Sequence, residues 1–132
     1  MGWTDHFFEH VKFIKGNKIM NVEDISMEQA QGAAITILLE LTPEIMSHSA
    51  FQTTKQQESV GNVCGKAMRW FYNALEGEVS DNDALEVCVA ITVSKVMPAI
   101  VANPIFDTTA HEAVGYMAGR AMKKFWKALK SL

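Results

Sequence analysis

VGNVCGKAMRWFYNAL at residues 60–75 and VGYMAGRAMKKFWKAL at residues 114–129 are one segment written twice, 54 positions apart. Eight of the sixteen positions are identical, and Lys66/Arg120, Arg69/Lys123 and Tyr72/Trp126 exchange like for like. Self-similarity at a fixed period of this length marks a chain built from repeated units. The match spreads outward: Ser26-x-x-Gln29-Ala30 answers Ser80-x-x-Asp83-Ala84 at a separation of 54. Pro43 and Pro98 then match at 55, as do Phe51-x-Thr53-Thr54 and Phe106-x-Thr108-Thr109. Each unit reads as helix, proline, short connection, helix. The expectation is an all-α, compact bundle of about five helices in one domain over 1–132. Residues 25–78 and 79–132 form two tandem helical hairpins, preceded by an N-terminal helix and extended segment over 1–24. Neither unit is long enough to bury its apolar face alone.

Local signals fill in the elements. Phe7, Val11 and Ile14, with Trp3 one turn earlier, make an amphipathic stripe over residues 4–15, and Gly16-Asn17 stops it. Residues 18–24 read as extended and irregular. Ser26 with Gln29 is a capping box that opens a helix. Ala30, Ala33, Ala34, Ile37, Leu38 and Leu41 follow at helical spacing, and Ile35 and Leu39 widen the stripe toward full burial. Thr42-Pro43 reads as a kink or a fresh start. Thr54-x-x-Gln57 and Thr109-x-x-Glu112 are the expected boxes opening helices at 55–76 and 110–131. Residues 87–93 (VCVAITV) are β-branched enough for a buried strand, but the Ser80 cap and the matching AAITILL segment favour helix. Gly61 and Gly65, like Gly115 and Gly119, lie one turn apart inside helices. There each glycine costs about 0.5–1 kcal/mol relative to Ala. Four at matching positions suggest helix-packing notches where another backbone comes close.

Composition bounds the function classes. Apolar residues make up 48% and charged residues 20% of the chain, as in soluble globular proteins. Cys64 and Cys88 stand where the other unit has Ala118 and Ala34, a pattern of small core side chains and of a cytoplasmic, reducing setting. The N-terminus lacks the apolar run of a secretory signal. No stretch of about 20 apolar residues is evident; the nearest, residues 84–106, contains Glu86, Lys95, Pro98 and Pro104. Charge is uneven. Residues 1–112 hold 7 basic and 15 acidic side chains, whereas 113–132 hold five basic ones and no acid.

Candidate chemistry is sparse. His6 and His10 flank Glu9 at a metal-capable spacing, yet no third and fourth ligand accompanies them. Glu40 interrupts an apolar helix and is a candidate partner for Lys95 across the repeat. There is no phosphate loop, nucleophile elbow or dinucleotide fingerprint, so no catalytic residue, metal or cofactor is assigned. The sharpest surface feature is the cationic face of Arg120, Lys123, Lys124, Lys127 and Lys130. The macrodipole favours cations at a helix C-terminus, and an acidic partner protein or a second copy would meet the same face. The acidic run Glu76, Glu78, Asp81, Asp83, Glu86 is a candidate counterpart. The reading is a small non-enzymatic interaction module such as an adaptor, chaperone or immunity-type inhibitor, its eight methionines giving adaptable contacts. A bundle carrying an apolar or metal ligand between its units is the alternative, and an enzyme the second. Nucleic acid is not expected as a partner against the acidic remainder, and membrane-surface contact is not favoured.

Overall fold

Four helical runs carry most of residues 19–132, the part of the chain that the computed structural model describes. Helix α1 spans Met27–Ser47. Ser26 opens it with the expected capping box: its Oγ accepts from the Gln29 N–H at 3.0 Å, and Gln29 Oε1 accepts from the Ser26 N–H at 2.9 Å. Ala30, Ala33, Ile37, Leu41 and Ile45 face inward. This single stripe is the buried one; Ile35 and Leu39 are 58% and 68% exposed, so the expectation of a mostly buried helix does not hold. Pro43 neither ends α1 nor starts a new helix. It sits one turn from the end, exposed, where only one backbone bond is lost.

Helix α2 spans Thr54–Ala74, and its cap falls one residue earlier than expected. Thr53 Oγ1 accepts from the Gln56 N–H and Gln56 Oε1 from the Thr53 N–H, both at 3.1 Å. Gln57, the expected box residue, instead donates Nε2–H to the Phe51 carbonyl at 3.0 Å. Two threonines in a row, each with a glutamine three residues on, offer both frames. The earlier frame ties the preceding loop down as well.

After α2 the chain turns at Gly77, whose φ of +59° favours a residue without Cβ. A two-residue strand β2 (Glu78–Val79) pairs antiparallel with β1 (Met20–Asn21), Met20 opposite Val79. Helix α3 (Asp81–Ile91) begins with a Ser80–Asp83 capping box. It continues through a π turn at Thr92–Val96 into α4 (Met97–Ala102). Residues 87–93 are therefore helical. Thr92 and Ser94 hydroxyls donate to the carbonyls of Cys88 and Ala90 at 2.8 and 2.7 Å, a habit that loosens helices locally. By length and composition alone, the run 81–102 is long and apolar enough to cross a bilayer. Ala84, Cys88, Ile91, Val96 and Ile100 point into the core, while Leu85, Val89, Val93 and Val101 are exposed.

Helix α5 spans His111–Lys130 and is not opened by Thr109–Glu112. Asp107 caps the preceding 3-10 turn instead, its Oδ1 accepting from the Ala110 N–H at 3.1 Å and from the Thr109 hydroxyl at 2.7 Å. The repeated helices α2 and α5 make the most extensive helix contact, with α1 lying against both. Phe71 meets Phe125 and Trp126 edge-on at 6.1 and 6.4 Å, and Tyr72 meets Phe125 at 6.3 Å. No polar or charged residue is buried among the described residues. The expected N-terminal helix at 4–15, with His6, Glu9 and His10, lies outside the described residues.

Candidate functional site

An open groove of about 690 Å³ lies between α1 and α2. Met27, Ala30, Ala34, Ile35 and Leu38 supply the α1 wall, and Phe125, 1% exposed, reaches it from α5. On α2, Gly61 and Gly65 contribute bare backbone, with Met68 and Tyr72 further along. Met27 and Leu38 stand eleven steps apart along α1, so the groove follows about 16 Å of helix, or three turns. Its polar lining is Gln31, Asn62 and Asn73; its charged lining is Lys66 and Arg69 alone. No carboxylate lines it, and neither cation makes an ion pair among the described residues. An added methyl at Gly61 meets nothing within 4 Å, and one at Gly65 meets only Leu38 Cδ1 at 3.9 Å.

A smaller cleft of about 280 Å³ lies between α3 and α5, floored by Phe71 and lined by Ala84, Leu85, Met122 and Trp126. Lys123, Lys127 and Lys130 rim it, with Asp81 as the one acid. Asp81 Oδ1 accepts from Trp126 Nε1–H at 2.7 Å and from Lys130 Nζ at 2.8 Å, tying the start of α3 to the end of α5. Partial burial pushes the Asp81 carboxyl up, but the Lys130 and Trp126 hydrogen bonds and the Lys130 charge outweigh it and hold the pKa below 3.8. Gly115 and Met97 lie outside that lining; a methyl on Gly115 would lie 2.9 Å from the Met97 sulfur. Gly119 has nothing within 4 Å of such a methyl.

The cationic face of α5 is largely spent inside the fold. Arg120 pairs with Glu44 at 3.0 Å, Lys124 with Glu40 at 3.6 Å and Lys130 with Asp81 at 2.8 Å. Lys123 and Lys127 stay exposed without an ion pair among the described residues. Glu40 thus meets Lys124 rather than the expected Lys95, because α1 lies against α5. The Arg120 guanidinium also sits 5.9 Å from the Tyr116 ring centroid. Glu44 keeps one buried oxygen, Oε2, without a hydrogen-bond partner. The methionines are not mainly a surface: Met68, Met117 and Met122 are buried, while Met27 and Met46 are exposed.

Burial pushes the Cys64 thiol up to about 12 and raises Cys88, the latter opposed by Lys123 and a Thr92 hydrogen bond. Both are poor nucleophiles at neutral pH. Among the described residues no group of three or more His, Cys, Asp or Glu is placed to hold a metal ion. Sequence reasoning named Gly61 and Gly65 but not their company. Ile35, Lys66 and Arg69 were legible only as a stripe edge and scattered charge until α1 and α2 set them around one groove. No family model, curated protein or solved structure matches this chain.

Proposed function

We propose that the chain is a non-enzymatic interaction module whose α1–α2 groove receives an amphipathic helix of a partner protein, one flanked by acidic side chains. One observation carries this: a groove three turns long, mostly apolar, bare of side chain at Gly61 and Gly65, whose only charged lining residues are cations. Apolar anchors of the incoming helix would leave water, and its acids would meet Lys66 and Arg69. Gly61 costs helix stability although a Cβ in its place would meet nothing within 4 Å. A rule broken locally with no folding gain is the pattern of a functional position.

The reading includes a duplicated architecture, residues 25–78 and 79–132 being equivalent halves. The clefts support it. Every residue lining the second cleft except Lys130 has a counterpart 54 positions away in the lining of the first: Ala84 and Ala30, Met122 and Met68, Trp126 and Tyr72 among them. The floors are exchanged, Phe125 under the first and Phe71 under the second. Both linings have a cationic excess.

The test is selection from a random 16-residue peptide display library on the full chain, with Gly61→Leu as the counter-target. Leucine there fills the groove and suits a helix. Enriched peptides should carry apolar residues at helical spacing with Asp or Glu beside them, and should bind the original chain but not Gly61→Leu. Equal binding to both, or no enrichment, would refute the docking reading.

A further inference from the structure

We propose that the chain already holds a filled copy of its own docking notch: Met97 lies over Gly115 in the place that stands open over Gly61. A partner would then seat a methionine or leucine side chain on Gly61 in the same way. This deepens, and rests on, the reading of the α1–α2 groove as a docking site. Gly61 and Gly115 stand 54 residues apart, each second in the repeated segment. A methyl on Gly61 meets nothing within 4 Å, whereas one on Gly115 would meet the Met97 sulfur at 2.9 Å and its terminal methyl at 3.9 Å. One half therefore displays the notch empty and the other displays it filled.

The filling side chain comes from a helical run that only the second half distorts. Met97 is the first residue of α4, directly after the π turn. The corresponding stretch of α1 is unbroken α-helix holding Thr42 and Pro43. There the Thr42 hydroxyl is already committed to the Leu38 carbonyl at 2.7 Å, and proline is too short to reach across. The notch on a helix at glycine is one methyl deep. A thin chain with no branch at Cβ can lay its end against that backbone, and methionine adapts best. Valine or isoleucine would bring a branch against the helix before the notch was filled, and an aromatic ring is wider than the gap left by one absent side chain.

The test uses the full chain and the library-enriched peptides, with isothermal titration for stoichiometry. Peptides should bind with one equivalent per chain, carry Met or Leu at the centre of the apolar stripe, and lose roughly tenfold in affinity on Gly61→Ala. Met97→Ala, which uncovers Gly115, should bind two equivalents, and Met97→Leu should bind one. Two results overturn the anchor assignment while the docking reading stands. One is peptides that depend on Gly61 yet carry β-branched or aromatic residues at the central place; the other is a folded Met97→Ala chain with a single site. Binding indifferent to Gly61→Leu, or no enrichment at all, removes both. The peptide-sequence arm holds even if Met97→Ala fails to fold.

Discussion

Replacing Gly61 by Ala should make the folded chain more stable, and Gly115→Ala should not. Gly61 lies inside α2, and a methyl added there meets nothing within 4 Å. Its effect is then the helix preference alone, a gain of about 0.5–1 kcal/mol. For a domain of this size that raises the melting temperature by about 2–4 °C. At Gly115 the same gain meets a sulfur 2.9 Å away. The Met97 end must move or be squeezed, and overpacking costs about 1–3 kcal/mol, so the net change runs from zero to a loss of about 2.5 kcal/mol. Urea unfolding of the three proteins, with the slope m held in common, reads the difference directly. A Gly61→Ala chain destabilised by more than about 0.5 kcal/mol would refute the reasoning, because it would mean that something packs against Gly61 in the folded state.

Further outcomes follow from the polar contacts. Asp81 titrates below its ordinary value of 3.8, so the stability it contributes is present above that pH and lost as pH falls through the folded-state pKa. Trp126 fluorescence should therefore change in acid before the far-UV helix signal does, and Asp81→Asn should abolish that early step. Arg120 and Glu44, 33% and 43% exposed along their side chains, should couple by about 0.5 kcal/mol in a double-mutant cycle, with a value near zero or above about 2 arguing against the pair as drawn. Cys64 and Cys88 should resist a thiol reagent in the native chain at pH 8 and react fully once it is unfolded; rapid native labelling would contradict their burial.

The parts of the fold legible in sequence were those written in local chemistry. Ser26–Gln29 and Ser80–Asp83 are self-contained signals, and both boxes form. Thr53/Thr54 offered two frames, and nothing local to the threonines decided between them; the loop at Phe51 did. The pairing of Met20–Asn21 with Glu78–Val79 joins two-residue stretches far apart in sequence, too short for any periodicity to register. The π turn at Thr92–Val96 left no mark in the hydrophobic pattern. Ile35 and Leu39 looked like core because apolar spacing alone cannot say how many neighbours a helix will have. The groove needed α1 and α2 set side by side before Gly61, Ile35, Lys66 and Arg69 became one surface. On α5 the reverse happened: three of five cations proved to have acids waiting on other helices.

Backbone amide hydrogen exchange of the full chain, with and without a library-enriched peptide, tests the central proposition most directly. Slowed exchange concentrated in residues 27–38 and 61–73, along both walls of the groove, is the outcome the account requires. Slowing that falls instead on the exposed flank of Val89 and Val93, or around Lys123 and Lys127, with the groove unchanged, would contradict it.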